Sequence, residues 1–144
     1  MNRLNAIIMI VFFSCFAPFP VAAGDFDGSK PLLFAAIEVY ECSPKRGCSE
    51  IEAEDIDLPT FFIINFAEKK IMPTPESGRT ASSTIERLEN VDGMVILQGA
   101  EDGFKGVKDG LGWTLAIEED DGKAVLSASW RGAAFVIFGA CTPR

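Results

Sequence analysis

The sequence predicts a mainly β domain: an antiparallel meander of six to eight short strands, folded as a small barrel or as a two-sheet sandwich. Apolar and polar residues alternate with a period of two in several short runs, as expected of strands with one buried face. Asp-Gly pairs, which tolerate the positive φ angles of tight hairpin turns, stand between these runs. The short connections favour strands that follow one another in the sheet.

The first element, Pro31–Cys42, carries signals for two kinds of structure. Ser29 together with Pro31 could open a helix. Ile37 and Val39 are β-branched and favour a strand. We interpret the segment as a strand.

The next predicted elements are a helical turn in the acidic segment Glu50–Asp57 and a hairpin after it. Phe61–Phe66 is rich in β-branched and aromatic residues, and it turns through Ala67–Lys70 into the short strand Ile71–Met72. Apolar residues occupy both faces of Phe61–Phe66. Because a small sheet cannot bury both faces of a strand, we expect some of these aromatic side chains to point outward or into a cavity.

The second half of the chain carries the strongest hairpin signals. Asp-Gly turns join Thr80–Leu88 to Met94–Gly99, and Trp113–Glu118 to Ala124–Trp130. Phe135–Phe138 is the most apolar segment after the N-terminal region, and it is predicted to fill a central or barrel-closing position in the sheet.

Residues 1–23 are predicted to be a secretory signal peptide. Arg3 supplies a positive charge, an apolar run follows, and small residues precede a cleavage site between Ala23 and Gly24. The apolar run is shorter than the roughly 20 residues that span a bilayer. We therefore expect a single β domain, residues 24–144, that is exported to the periplasm or secreted and has no membrane span once the signal peptide is removed.

The net charge and the composition of the chain argue against several classes of function. Without Arg3, the exported chain has 12 basic residues against 21 acidic ones, a net charge of −9, which disfavours nucleic acid as a partner. The chain contains no histidine, so it lacks the most frequent general base and transition-metal ligand. Neither acidic cluster, Glu50–Asp57 or Glu118–Asp121, matches a calcium-binding loop. We expect no catalytic residues, no metal and no cofactor.

Three cysteines remain in the exported chain, Cys42, Cys48 and Cys141, so at most one intrachain disulfide can form. Chain entropy gives about 2.4 kcal/mol for closing the short loop and about 4.7 kcal/mol for a loop that includes Cys141. The Pro and Gly residues between Cys42 and Cys48 favour a turn. We predict the Cys42–Cys48 disulfide, with Cys141 free and buried.

Four side chains are candidate contacts for a ligand or partner. Trp113 and Trp130 are amphipathic aromatics that suit a pocket or an interface. For Trp113 we favour packing in the core. For Trp130 we favour neither packing in the core nor contact with a ligand or partner over the other. Lys45 and Arg46 form a basic tip within the predicted disulfide loop of an acidic protein.

Five segments spread along the exported chain form a recognisable set: Ala35–Val39 running into Cys42 and Cys48, Leu58-Pro59 with Phe61-Phe62, Asp92-Gly93 before Ile96–Gly99, Gly112-Trp113, and Phe135–Thr142. Together they resemble a family of small exported proteobacterial proteins of unknown function. The resemblance covers nearly all of the exported chain and implies export and a single β domain, but no activity. It also implies that relatives carry a cysteine at the position of Phe34 that could pair with the equivalent of Cys141.

The sequence leaves three hypotheses about function. The first is a non-enzymatic exported β protein that binds a small apolar ligand or an envelope partner. The second is an inhibitor or interaction module that uses the Cys42–Cys48 loop with its basic tip. The third is a hydrolase that works with carboxylates alone, since paired carboxylates can cleave glycosides without histidine.

Overall fold

The computed structural model describes residues 25–103 and 105–144, so the predicted signal peptide and its cleavage site lie outside the described residues. This part of the chain forms ten strands and two short 3₁₀ helices, at Ala53–Ile56 and Pro75–Ser77. The strands are β1 (Leu32–Ser43), β2 (Gly47–Ile51), β3 (Phe61–Asn65), β4 (Lys70–Pro73), β5 (Ser83–Thr84), β6 (Arg87–Val91), β7 (Met94–Glu101), β8 (Leu111–Glu118), β9 (Lys123–Trp130) and β10 (Ala133–Pro143).

The predicted fold class is confirmed: the strands build one antiparallel sheet that curls into a half-barrel, rather than two packed sheets. The order is β5-β4-β3-β1-β10-β9-β8-β7-β6, with β2 paired to β1 off this path. The outermost strands, β5 and β6, are separated in the chain only by Ile85 and Glu86. Ile85 N–H donates to the carbonyl of Lys69, and Glu86 N–H donates to the carbonyl of Gln98. These two residues therefore link the two ends of the strand order.

The strand count exceeds the six to eight expected for two reasons. The predicted strand Thr80–Leu88 is divided between β5 and β6 at the buried Ile85. Strand β2 was not predicted at all, because Gly47–Ile51 carries few residues that favour strands. It pairs with the second half of β1 through five consecutive residue pairs. The segment Pro31–Cys42 is a strand, as predicted.

The Asp-Gly turn between β6 and β7 has the conformation expected from the sequence. Val91 pairs with Met94, and the two residues between them, Asp92 and Gly93, have φ angles of 47° and 85°. Both angles are positive, as in the two-residue hairpin turns that match strand twist. The strands that flank the second predicted turn, β8 and β9, also pair as predicted.

A β-bulge in β1 sets which of its residues face the core. Ala36 lies opposite Gly139 and Glu38 lies opposite Phe138, so Ile37 is an extra residue in the ladder. The side chains of Ile37 and Glu38 are both exposed, whereas Val39 is buried. In strict alternation Glu38 would point into the core and Val39 would point out, so the bulge keeps the carboxylate in solvent.

The inner face of the curled sheet is filled by side chains from every long strand. Phe34 and Phe62 stack there, with ring centroids 4.4 Å apart. Burying a side chain of this kind contributes about 1.5–3 kcal/mol to stability. The fully buried large side chains are Phe34, Leu32, Ile64, Ile85, Leu97, Leu115, Ile117, Ile137 and Val95.

Candidate binding surface around the disulfide hairpin

Strands β1 and β2 form a hairpin that is pinned near its tip by the predicted disulfide. Cys42 and Cys48 are directly opposite in the ladder and are bonded, which confirms the predicted bridge. Ser43 pairs with Gly47, and Gly47 has a φ of 73° that closes the loop. Only Pro44-Lys45-Arg46 lies beyond this pair. The disulfide therefore holds a short, exposed tip in one conformation.

The basic tip is accessible to solvent. Lys45 and Arg46 are both exposed, and Arg46 Nη2 lies 3.3 Å from Glu41 Oε1. An exposed pair of this kind contributes at most about 1 kcal/mol. Arg46 can therefore leave Glu41 for another carboxylate at little cost.

Trp130 lies beside this hairpin, at the turn between β9 and β10. Its indole N–H donates to the backbone carbonyl of Asp109 at 2.9 Å, and the Arg131 guanidinium lies 5.7 Å from the ring centroid. Trp130 and the disulfide line one open cleft of about 550 Å³. The structure thus brings together Trp130 and the Cys42–Cys48 hairpin, two features that are far apart in sequence. The other lining residues are Ser43, Pro44, Gly47, Ser129, Arg131, Gly132, Ala133 and Ala134.

Several apolar side chains are exposed on the outer face of the sheet. Val125 of β9, Phe138 of β10 and Glu38 of β1 form one cross-strand row. Phe138 is 44% exposed, Val125 is 38% exposed, and the neighbouring bulge residue Ile37 is 69% exposed. Phe61, at the start of β3 beside Ala35, is 49% exposed. We call Ile37, Phe61, Val125 and Phe138 the outer apolar strip.

Tyr40 joins the outer apolar strip to an acidic border. Its ring meets Phe138 edge to face with centroids 6.1 Å apart, and its hydroxyl donates to Glu38 Oε2 at 3.2 Å. Glu50 lies directly opposite Tyr40 in the β1–β2 ladder. The negative charge of Glu38, together with its hydrogen bond and the weaker effect of Glu50, raises the pKa of Tyr40. A partner of this surface would meet apolar side chains bordered by negative charge.

Trp113 is placed away from this surface. It is only 7% exposed and lies on the inner face of β8, where its indole N–H donates to Ser83 Oγ at 2.9 Å. Gly99, opposite Trp113 in the ladder, leaves room for the ring. Trp113 is therefore a core residue, and its hydrogen bond to Ser83 links β8 to β5.

A second, polar concavity of about 440 Å³ is lined by Glu86 and by residues of β6–β9. Gln98 Nε2 donates to Thr114 Oγ1 at 3.3 Å within it. This is one side-chain hydrogen bond within the groove, whose charged lining residues are Glu86 and Arg87. Its remaining lining residues are Gly99, Gly112, Trp113, Ser127 and Ser129.

Among the described residues, the surroundings of one thiol and two carboxyl groups shift their pKa values in opposite directions. Burial raises the pKa of the Cys141 thiol to about 12, so the group stays protonated and is a poor nucleophile at neutral pH. Hydrogen bonds from Ser29 and from Lys123 lower the pKa values of Asp27 and Asp121, respectively. A carboxylic acid that donates a proton to a substrate needs a raised pKa instead. Within residues 25–103 and 105–144, no three potential metal ligands cluster.

Comparison of the chain with protein-family models, with curated proteins and with solved structures finds no match. The resemblance to small exported proteobacterial proteins stays a prediction, and the interpretation of the surface rests on its geometry. No helix among the described residues is long and apolar enough to cross a membrane.

Sequence reasoning missed most of the outer apolar strip. It singled out Trp130, Lys45 and Arg46 around the hairpin, and it expected outward aromatics in Phe61–Phe66, where Phe61 is indeed exposed. The same signal was present in Phe135–Phe138, an apolar run on both faces, but there the sequence predicted only a central or barrel-closing position in the sheet, which β10 occupies between β1 and β9. In the structure Phe135 and Ile137 point inward and Phe138 points outward.

Proposed function

We propose that this protein is exported and acts outside the cytoplasm as a non-enzymatic binding protein for an envelope partner. The predicted signal peptide supports export, and the Cys42–Cys48 disulfide is compatible with an oxidising compartment. The partner contacts the outer apolar strip and the adjacent cleft at Trp130. The main observation that supports this proposal is that the outer apolar strip is exposed on one side of the sheet, whereas the other side is packed in the core.

The physical reason is the free energy of exposed apolar surface. Single exposed hydrophobic residues are ordinary on a soluble protein, but neighbouring ones on one sheet face are typical of an interaction site. Aromatic residues such as Trp130 and Phe138 supply most of the binding energy in such sites. The adjacent Glu38 and Glu50 add a charged border, which selects partners by sign.

A partner on the outside is better supported than a small apolar ligand held inside the half-barrel. Phe34, Phe62 and Leu115 are among the side chains that fill the inner face. Both concavities described above, of about 440 and 550 Å³, are open to solvent and not enclosed within the half-barrel. A small ligand at the Trp130 cleft would occupy the same surface as the proposed partner.

Photo-crosslinking from the outer apolar strip tests this proposal. The photoreactive amino acid p-benzoylphenylalanine replaces Phe138 in one variant and Val91 in a control variant. Val91 is equally accessible, at 48% against 44% exposed, but lies on β6. We expect a discrete crosslinked protein in the periplasmic fraction from position 138 and not from position 91. Equal crosslinking from both positions, or none from position 138, would remove the outer apolar strip as the contact surface.

A second candidate function is an inhibitor-like module that presents the hairpin tip. The observation that favours it is the exposed Pro44-Lys45-Arg46 segment, closed behind by the Cys42–Cys48 bridge. Rigid loops lose little entropy on binding. If the tip is the contact, replacing Lys45 and Arg46 with alanine abolishes partner capture, whereas Phe138→Ser leaves it intact.

A further inference from the structure

Strand β2 has one free edge. Within the described residues β2 pairs only with β1, and its residues Gly47–Glu50 are exposed. The unpaired backbone groups of an edge strand can accept another strand. Short length protects many edges, but β2 contains neither proline nor lysine.

The ladder spacing shows which backbone groups lie on that edge. The Cα atoms of Cys42 and Cys48 are 4.0 Å apart. A separation this short is typical of a non-hydrogen-bonded antiparallel pair, and the two pair types alternate along a ladder. Tyr40 and Glu50, two residues further along, form the next non-hydrogen-bonded pair. The backbone N–H and C=O groups of Cys48 and Glu50 therefore point away from β1, toward the free edge.

This edge is held in position before any partner arrives. The disulfide ties β2 to β1 at one end, and Ile51 packs against the core at the other. A chain that pairs with β2 therefore orders only itself. Preorganisation of this kind raises affinity because less conformational entropy is lost.

Beyond the basic tip at Lys45 and Arg46, the side chains beside β2 that face an added strand are acidic. Glu50 projects from the outer face beside Tyr40, and Glu38 lies beside Tyr40 on the same face. A residue placed next to Glu50 on an added strand would meet this negative charge. Opposite charges across neighbouring strands are favourable, and like charges are unfavourable. Strand β2 of a second copy carries no lysine or arginine to place beside Glu50, so self-pairing gains no opposite charge there.

We infer that an extended, basic segment of a partner protein adds to β2 as an extra strand, with a lysine or arginine beside Glu50. The inference rests on the proposed function and extends it, because it names the mode of binding and the chemistry of the partner. The main-chain groups of Cys48 and Glu50 supply the hydrogen bonds, as in other cases of strand addition.

The test uses the oxidised exported chain and the synthetic peptide acetyl-Val-Lys-Val-Lys-Val-Lys-Val-amide. We expect the peptide to slow amide hydrogen exchange at Cys48 and Glu50 by about tenfold, with unchanged exchange at Val91 on β6. The same peptide with glutamate in place of lysine, and the lysine peptide with alternate backbone nitrogens methylated, should give no slowing. Glu50→Gln should weaken the effect, whereas Glu54→Gln, in the 3₁₀ helix, should not.

Three results would overturn the inference. These are unchanged exchange at Cys48 and Glu50 with saturating lysine peptide, equal slowing by the glutamate peptide, or slowing that depends on protein concentration without any peptide. The outcomes for the two proposals are distinguishable. Crosslinking from position 138 without protection at β2 would leave the proposed function standing and remove strand addition. Protection at β2 without crosslinking from position 138 would leave strand addition standing and would remove the outer apolar strip as the contact surface.

Discussion

The phenol hydroxyl of Tyr40 donates a hydrogen bond to Glu38 Oε2 at 3.2 Å, on the outer face of the sheet. This contact marks the boundary between the outer apolar strip, through the neighbouring Phe138 ring, and the acidic border. It can be followed directly, because Tyr40 is the single tyrosine of the chain.

The first prediction concerns the titration of Tyr40. Negative charge at Glu38 stabilises the neutral phenol, so the pKa of Tyr40 is expected above its ordinary value of 10.0. Tyrosinate absorbance during an alkaline titration measures it without interference from another tyrosine. Glu38→Gln should lower the midpoint more than Glu50→Gln, and Glu76→Gln should leave it unchanged. A midpoint at or below the ordinary value would show that the acidic border is absent in solution.

The second prediction concerns the close approach of Gly99 to the core. A Cβ atom at this position would overlap the Trp113 ring and the Thr84 carbonyl oxygen. Gly99→Ala should therefore lower the free energy of unfolding by about 1–3 kcal/mol, as other overpacked sites do. Gly112→Ala is the matched control, because a Cβ there meets nothing within 4 Å. Urea denaturation that shows equal stabilities for the two variants would contradict the packing of Trp113.

The third prediction concerns the pH dependence that Cys141 contributes. Burial raises the pKa of its thiol from 9.0 to about 12 in the folded state. Between these values the unfolded chain loses the thiol proton and the folded chain keeps it, so stability falls as pH rises. The contribution is fully present below pH 9 and is lost as pH approaches 12.

Comparison with Cys141→Ala isolates this effect from the lysines and Tyr40, which titrate in the same range. The difference in unfolding free energy between the wild-type chain and the variant should shrink from pH 9 upward. A thiol reagent at neutral pH should also react with Cys141 much more slowly in the folded protein than in urea. Rapid labelling of the folded protein would show that the thiol is exposed.

The fourth prediction concerns the disulfide. Replacing Cys42 and Cys48 together with serine should lower the free energy of unfolding by about 2.4 kcal/mol, the chain entropy of the short loop. Hydrogen exchange should rise most at β2, because β1 is the only strand that pairs with it among the described residues. Loss of protection spread evenly over β7–β9 would show instead that the bridge supports the whole sheet.

Local sequence signals predicted most strands but not their assembly. The alternation in Trp113–Glu118 and Ala124–Trp130, with Asp-Gly between them, was enough to place a hairpin. Strand β2 escaped prediction because Gly47–Ile51 has weak strand preference, and it is the disulfide and the β1 ladder that hold it. Tertiary pairing overrides local preference there.

The binding surface was only partly predictable for a related reason. The apolar residues on both faces of Phe61–Phe66 predicted that some aromatic side chains point outward or into a cavity, but not which ones. Which side chains face outward depends on the strand register. The register of β1 changes at Ile37 through a bulge that the local sequence pattern does not predict. The proximity of Trp130 to Cys42 and Cys48 likewise depends on β1 and β10 being neighbours in the sheet.

The most direct test of the central claim compares partner binding by Phe138→Ser and Val91→Ser. Once crosslinking has identified the partner, its affinity for each purified variant can be measured by titration calorimetry, with unfolding curves as the check on folding. We expect Phe138→Ser to weaken binding by at least about tenfold, as loss of an aromatic anchor does, while Val91→Ser binds as tightly as the wild-type chain. Equal affinities for the two folded variants would contradict the assignment of the outer apolar strip as the contact surface.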